Sequence, residues 1–291
     1  ANPPPRKGGR YFIFVRLETV CGVVGYGEVY VATVAPHLVA DAVRDVFARH
    51  FEGADPHDIE HLWRVTYASG YGMRPDATLV GVLSGLEIAC WDIMGKAAGK
   101  PVHKLMGGRC RERIRTYTYV YPASGDVYPA DQAGSVYTEP DLAAERALQY
   151  VERGFTAVKF DPAGPYTAYD GRQPDLPALA RSEAFCRAIR EAVGTRADLL
   201  FGTHGQFSTA GAKRMAARIA PYEPLWFEEP VPPEMPEQMA EVARATSVPI
   251  STGERLVTKY EFARVLALGA ASILQPALGR VGGLWEARKI A

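Results

Sequence analysis

An α/β fold built on a (β/α) TIM-type barrel, with a small α+β domain in front of it, is predicted by two observations. From Arg115 onward, short apolar runs alternate with amphipathic segments, which is typical of parallel βαβ units. Some apolar runs are followed directly by acidic residues and then by a turn, as in Phe227-Glu228-Glu229-Pro230 and around Glu254. Acidic groups therefore stand where strands end, which is where a barrel of this kind carries its chemistry.

We predict that residues 1–108 form the small α+β domain, a capping domain, because their elements follow the order β-β-α-α-α. Two β-rich runs flank a turn near Cys21-Gly22 and predict a hairpin. Two of the three helical patterns after it begin with Pro in the first turn. The predicted strands are Tyr11–Glu18 and Val23–Tyr30, and the predicted helices are Pro36–Phe51, Pro56–Ala68 and Ala77–Ala98.

We predict that residues 109–291 form the barrel. They contain six strands, whereas a barrel of this type is expected to have roughly seven or eight. Because an unclosed parallel sheet leaves unpaired edges, we expect the sequence to be a C-terminally incomplete portion of a longer protein; a fully wound open sheet is the structural alternative. The predicted strands are Arg115–Val120, Ala157–Phe160, Leu199–Phe201, Leu225–Phe227, Pro249–Ser251 and Ala271–Leu274. The predicted helices are Asp141–Arg153, Pro177–Val193, Thr209–Ile219, Pro236–Ala245, Lys259–Leu268 and one from Gly283.

Composition limits the classes of partner. Lys and Arg together number 33, as do Asp and Glu, so no net charge favours a nucleic acid or an anionic membrane. The four cysteines form no CxxC pair, and reduced thiols in a cytoplasmic protein are expected. No uninterrupted run of ~18 apolar residues predicts a membrane span. The sequence thus favours a cytoplasmic protein that binds small molecules.

Glu228 and Glu254 are the candidate metal ligands. Mg²⁺ binds proteins through a few carboxylates and keeps positions open for substrate oxygen, and two acidic residues at neighbouring strand ends meet that need. The alternative is that Glu228 and Glu229 only form ion pairs with arginines of the loops.

The stretch from Ser84 to Gly108, SGLEIACWDIMGKAAGKPVHKLMGG, resembles the joint between capping domain and barrel in the mandelate racemase/muconate lactonizing enzyme group of the enolase superfamily. The resemblance continues through Gly154–Pro162, Trp226–Pro230, Thr252–Arg255 and Gln275–Gly283. Within that group, the motif Lys159-Phe160-Asp161-Pro162 looks most like galactonate-type sugar-acid dehydratases. The resemblance implies a lidded barrel that binds Mg²⁺ and removes a proton α to a carboxylate, through an enediolate.

The resemblance also assigns roles at the strand ends. Glu228 and Glu254 match the metal ligands of the fourth and fifth strands, whereas Gly202 stands where the third-strand Asp is expected. Either His204, Thr203 or water completes the metal shell, or the affinity for metal is reduced. His204 matches the general acid of the dehydratases, although a lone His at a strand end is more often structural. The usual base, a seventh-strand His, is expected beyond Ala291.

Lys159 stands at the position of the group's second-strand lysine, and Asp161 replaces the lysine expected two residues later. Lys159 is interpreted as a catalytic base or a ligand for the substrate carboxylate, or equally as a barrel-rim cation paired with Asp161 or Glu228. Glu229 and Arg255 are expected to orient the metal-binding carboxylates. The candidate substrate-binding residues are Asp161, Tyr30, Arg74 and Gln275. For Asp161 the alternative is a cap of the loop, and for Arg74 it is a solvated loop charge.

The leading hypothesis is therefore a Mg²⁺-dependent dehydratase that converts an aldonate-type sugar acid to a 2-keto-3-deoxy acid. A racemase, epimerase or cycloisomerase of the same superfamily is the enzymatic alternative. A catalytically impaired homologue that only binds an acid sugar is the other. The resemblance further predicts a homo-oligomer.

Overall fold

The computed structural model describes residues 11–31, 34–122, 135–162 and 173–291. The chain divides into two compact units that alternate along the sequence. The first unit comprises Ala1–Glu112, Glu254–Ala263 and Pro276–Ala291. The second comprises Arg113–Gly253 and Arg264–Gln275. The predicted boundary after residue 108 stays a prediction.

The first unit contains an antiparallel hairpin and several helices, as the sequence predicts. Strands β1 (Ile13–Glu18) and β2 (Val24–Val29) pair with Ile13 opposite Val29. A short helix and a 3₁₀ turn at Tyr71–Met73 were not predicted. The helices are α1 (Pro36–His50), α2 (Ile59–Ser69), α3 (Ala77–Ala97), α4 (Val102–Leu105) and, near the end of the chain, α10 (Leu284–Ile290).

Helix α3 is the central element of the first unit. Its N-terminus is capped by Asp76, whose side chain accepts hydrogen bonds from the backbone of Thr78 and Leu79. Glycine on both sides lets α3 approach β2 closely: a Cβ on Gly27 would lie 1.9 Å from the carbonyl oxygen of Gly85. Among the described residues α3 alone is long and apolar enough to cross a membrane, but 72% of its most apolar window is buried inside the protein. We therefore describe it as a core helix.

The second unit is a parallel sheet whose strands follow one another in sequence order. Each strand pairs with the next one along the chain, from β3 to β8, whereas a doubly wound sheet reverses its order at a switch point. This singly wound order confirms the barrel-type fold, although the described strands do not close the sheet. The strands are β3 (Thr118–Tyr119), β4 (Ala157–Phe160), β5 (Asp198–Phe201), β6 (Trp226–Glu228), β7 (Ile250–Thr252) and β8 (Ile273–Leu274).

Helices connect successive strands of the sheet. Their bounds agree with the sequence prediction to within two residues. The shift that matters is at β6, where Glu228 is the last strand residue rather than the first loop residue. The helices are α5 (Pro140–Glu152), α6 (Leu176–Val193), α7 (Thr209–Ile219), α8 (Pro236–Ala243) and α9 (Lys259–Leu268), which is shared between the two units.

The two faces of the sheet differ in chemistry. Side chains alternate along a strand, so the register places Lys159, Glu228 and Ser251 on one face, which we call the site face, next to an apolar cluster on the same face. On the opposite face Phe160, Phe201 and Phe227 form successive edge-to-face contacts, with ring centroids 5.9 and 5.3 Å apart. The site face carries Ala157, Lys159, Leu200, Trp226, Glu228, Ser251 and Ile273.

Candidate metal centre and active site

Glu228 is the best-connected carboxylate of the site face. Its Oε1 accepts a hydrogen bond of 2.7 Å from the ammonium of Lys159. Its Oε2 accepts bonds of 3.1 Å from the indole of Trp226 and from the amide of Gln275. The partners come from β4, β6 and the end of β8, so sheet register assembles the group.

Lys159 remains a cation in this environment. Burial by itself lowers the pKa of Lys159, but the charge and hydrogen bond of Glu228 outweigh that effect and the pKa is raised. Only 9% of its side chain is exposed. The structure thus forms the ion pair with Glu228 that the sequence left as one of two interpretations. A cation held in this way is suited to stabilise negative charge.

His204 and Asp161 lie close together at the ends of β5 and β4. His204 Nδ1 is 3.6 Å from Asp161 Oδ2. The imidazole is 34% exposed, whereas the Asp161 side chain is 7% exposed. The backbone N–H of His204 donates to Gln206 Oε1 at 2.6 Å. His204 is therefore an imidazole open to solvent beside a buried carboxylate.

Gly202 has no side chain, and the Asp161 carboxylate from the neighbouring strand β4 occupies the space. A Cβ built on Gly202 would lie 1.6 Å from Asp161 Oδ1 and 3.0 Å from Lys159 Cε. No side chain fits at position 202 while Asp161 keeps this position, since real Cβ atoms do not approach so closely. The sequence shows that the expected Asp is missing at Gly202 but does not show which group occupies its place. The pairing of β4 with β5 brings Asp161 to this position, and the sequence alone does not reveal that pairing.

The loop after β6 is held by backbone contacts. The Thr203 hydroxyl donates to the carbonyl oxygens of Glu228 and Glu229, and the N–H of Gly205 donates to Glu229 O at 2.7 Å. Glu229 is fully buried and has φ +42°, a left-handed conformation that is unusual for a residue with a side chain. Thr203 thus fixes the end of β6, a role that the sequence did not predict.

Other predicted site residues belong to the first unit. Glu254 follows β7 by two residues, and its carbonyl oxygen accepts a hydrogen bond from Arg280 at 2.9 Å. The guanidinium of Arg280 lies 5.1 Å from the ring centre of Tyr30. Arg74 lies over the ring of Tyr67 at 4.6 Å. Arg255, next to Glu254, is half-buried. The roles predicted for Glu254, Arg255, Tyr30 and Arg74 stay predictions.

Several buried oxygen atoms at the strand ends have no hydrogen-bond partner in the described part of the chain. They are Asp161 Oδ1, Ser251 Oγ, Thr252 Oγ1 and Gln275 Oε1. Buried polar atoms are normally paired, so the three oxygens on the site face, those of Asp161, Ser251 and Gln275, mark a place for a ligand, whereas Thr252 lies on the opposite face. Ser251 and Thr252 were not predicted from the sequence, where they look like ordinary strand residues.

This donor set fits a divalent cation in chemical type, because carboxylate, hydroxyl and amide oxygens are the ligands of hard cations. Within the described ranges, no three His, Cys, Asp or Glu side chains are grouped as a metal-binding cluster. The structure therefore shows suitable donors but not a complete acidic shell.

Two family models cover most of the chain. Residues 7–107 match the mandelate racemase/muconate lactonizing enzyme N-terminal domain, and residues 142–291 match the enolase C-terminal domain-like family. The chain belongs to the mandelate racemase/muconate lactonizing enzyme family. The resemblance inferred from the sequence motifs is thus confirmed.

Relatives within this family are similar along nearly the whole chain. A D-galactonate dehydratase of Ralstonia nicotianae is 36% identical over 288 residues, which are 99% of this chain and 68% of the relative. A crystal structure from Labrenzia alexandrii DFL-11, assigned to the mandelate racemase/muconate lactonizing enzyme group, has 66% identity and a TM-score of 0.91, covering 99% of this chain and 72% of that one. A family member from Sulfitobacter sp. has 57% identity and a TM-score of 0.92, with the same coverage. Family membership implies a divalent metal ion.

Proposed function

We propose that the protein is a Mg²⁺-dependent hydro-lyase that dehydrates an aldonate-type sugar acid to a 2-keto-3-deoxy acid. The observation that carries the proposal is the buried Lys159–Glu228 pair with His204 at the neighbouring strand end. The identity of 33–36% with D-galactonate dehydratases supports the same chemistry. The enzyme is further proposed to be cytoplasmic and homo-oligomeric.

Glu228 and Glu254 are the proposed metal ligands, with Glu229 and Arg255 orienting their carboxylates. When bound, a divalent cation neutralises the charge that develops on the substrate carboxylate as the α-proton leaves. Lys159 adds a second positive charge beside Glu228. Its role is to hold the same substrate carboxylate, which its buried ammonium is placed to attract.

His204 is the proposed general acid. Loss of the β-hydroxyl requires a proton at the departing oxygen, and an imidazole that reaches solvent can be reprotonated after each turnover. Asp161, whose Oδ2 lies 3.6 Å from Nδ1, orients the ring with Nδ1–H toward its carboxylate, so that the proton to be donated is the one on Nε2 of the imidazolium. The hydroxyl groups of the sugar acid require polar partners, and Gln275, Tyr30 and Arg74 are proposed for that role.

The test uses the full-length protein, a panel of aldonic acids and Mg²⁺, with formation of 2-keto acid as the readout. We expect one or more acids to be dehydrated, and chelation by EDTA to abolish the reaction. Exchange of the substrate α-hydrogen with solvent deuterium, without loss of water, would instead indicate a racemase or epimerase. No keto acid from any member of the panel would refute the dehydratase.

His204→Asn is the matched variant for the acid step. The amide retains a polar side chain of similar size but cannot supply the proton. We expect dehydration to fall by at least about 100-fold. Exchange of the α-hydrogen with deuterium should persist, because that step precedes departure of the hydroxyl. Loss of both together would assign His204 to substrate binding or folding.

A further inference from the structure

Positions 161 and 202 face each other across two paired strands. Phe160 lies opposite Phe201 in the parallel ladder, and the N–H of Gly202 donates to Phe160 O at 2.9 Å, which extends the pairing by one residue. Residues that are directly opposite in a sheet direct their side chains to the same face. Asp161 therefore shares the site face with the side chain that residue 202 lacks.

The Asp161 carboxylate occupies the space left at Gly202 and is only partly paired there. Oδ2 lies 3.6 Å from His204 Nδ1. Oδ1 is the atom that a Cβ at 202 would meet at 1.6 Å, and it has no hydrogen-bond partner in the described ranges. The side chain is more than nine-tenths buried. A buried carboxylate oxygen without a donor is costly, so this oxygen requires a ligand.

The surrounding charges identify the kind of ligand. The nearest buried cation, Lys159, already donates to Glu228 Oε1 at 2.7 Å. Asp161 and Glu228 both act electrostatically on that single ammonium. Among the described residues, two carboxylates beside one buried lysine leave negative charge uncompensated, and the hydroxyl oxygen of Ser251, on the same face of the sheet, has no hydrogen-bond partner. These are the donors and the charge that a hard divalent cation requires.

We propose that Asp161, at the end of β4, is the third acidic metal ligand of this protein and replaces the carboxylate that is missing at Gly202. The inference rests on the proposed metal site; it makes Asp161 a metal ligand instead of the substrate-binding residue that the sequence suggests, and it leaves Oδ2 beside His204. It also explains why position 202 is a glycine, because a larger residue there would displace the ligand oxygen. The third ligand therefore comes from the second barrel strand rather than the third.

The direct test is titration of full-length protein with Mn²⁺ in the absence of substrate, with free Mn²⁺ followed by electron paramagnetic resonance. Asp161→Asn keeps the shape of the side chain and removes its charge. We expect the dissociation constant to rise at least tenfold. Asp198→Asn is the matched control, since it makes the same change at the opposite end of the neighbouring strand β5, where Asp198 pairs with Arg115. Its dissociation constant should remain that of the wild type.

A transfer of the carboxylate provides the second test. Gly202→Asp alone places two carboxylates in the space of one, so it should weaken Mn²⁺ binding and lower the melting temperature. In Asp161→Gly with Gly202→Asp the carboxylate moves across the ladder, and we expect binding within about threefold of the wild type. This restoration also separates a ligand role from a folding defect, because a merely structural Asp161 would not be replaced from position 202.

The outcomes separate this inference from the proposed function. Wild-type Mn²⁺ affinity in Asp161→Asn, or no restoration in the double variant, overturns the inference, whether or not the protein produces keto acid. Weakened binding in Asp161→Asn with restoration in the double variant supports it. The inference then stands even if no acid sugar is dehydrated, and in that case only the proposed reaction fails.

Discussion

Two buried glutamates, one in each unit, show opposite ways of keeping a carboxylate out of water. Glu87 in α3 accepts hydrogen bonds from the backbone of Leu284 and Trp285 and from the indole of Trp91. Glu228 in β6 also has three donors, but one of them is the ammonium of Lys159. Burial raises the pKa of Glu87 to about 7, because its donors are all neutral.

The difference indicates what each carboxylate is for. Neutral donors fix Glu87 in a single place, where it caps the start of α10 and joins it to α3. A carboxylate held by a cation is paired with charge that a metal ion can supplement or exchange. Burial alone therefore does not identify a functional acid; the charge of its partners does.

The largest effect should follow from Glu228→Gln. The change removes a proposed metal ligand and the carboxylate to which the buried Lys159 donates a hydrogen bond. We expect kcat/KM for the sugar acid to fall by at least about 1,000-fold and the protein to lose about 3 kcal/mol of stability. Activity assays and urea unfolding measure the two effects.

A control for this prediction removes the buried ammonium as well. Lys159→Met combined with Glu228→Gln should recover part of the lost stability while activity stays absent. If the double variant is as unstable as Glu228→Gln, the instability does not come from the buried ammonium.

Glu87 should give stability a pH dependence of its own. With a folded pKa of about 7 against an ordinary value of 4.5, the folded protein holds this proton more tightly than the unfolded chain. Its contribution is therefore complete below pH 4.5 and is lost as pH rises through 7, a change of about 3 kcal/mol. Urea midpoints measured across this range should decline in the wild type and stay flatter in Glu87→Gln.

Glu60 serves as the contrasting control. A hydrogen bond from Lys289 is the main reason that the pKa of Glu60 is lowered to about 2. Its contribution is present above pH 4.5 and is lost as pH falls toward 2, which is the opposite sign. Glu60→Gln should alter only this acid limb. The same decline between pH 4.5 and 7 in wild type and Glu87→Gln would contradict the assignment to Glu87.

A smaller effect is expected from Gly283→Ala. Gly283 precedes α10 with φ +91°, and a Cβ there would lie 1.9 Å from Glu87 Oε2. Gly108→Ala is the comparison, because Gly108 has a similar φ of +97° but open space around it. We expect Gly283→Ala to cost about 2 kcal/mol more than Gly108→Ala. Equal losses in urea unfolding would mean that strain, and not the contact with Glu87, limits position 283.

The smallest effect should come from a surface pair. Arg264 and Glu237 form an ion pair whose side chains are both about half exposed to solvent. Water screens such pairs, so Arg264→Ala should leave the urea midpoint unchanged within error. A clear shift would show that partner charge matters on the surface as it does at Glu228.

Most of the fold could be predicted because the hydrophobic pattern changes clearly at Arg115. Periodicity located the helices of both units, and β4, Thr209–Ile219 and Lys259–Leu268 have the predicted bounds. The first barrel strand is shorter than expected, with two residues in place of the run from Arg115. The Arg115 side chain instead bonds to Thr156 and Asp198, contacts that local sequence cannot indicate.

The site could be predicted only where its residues end strands. Glu228 and His204 stand at such ends in the sequence, and Lys159 is their neighbour within a recognisable motif. The position of Asp161 at Gly202 depends on the pairing of β4 with β5, in which Phe160 lies opposite Phe201, and no local pattern encodes that register. Glu87 was equally hidden, since its backbone partners Leu284 and Trp285 lie almost 200 residues later.

The shared space of Asp161 and Gly202 restricts how such a site evolves. A protein with both acids crowds two carboxylates, and one with neither lacks a ligand, so each single step between the two arrangements passes through a weaker intermediate. The two positions should therefore change together among homologues, with glycine at 202 accompanying an acid at 161. A sequence search that requires an acidic metal ligand at the third strand would exclude such proteins as inactive. In them the ligand oxygen comes instead from the second strand.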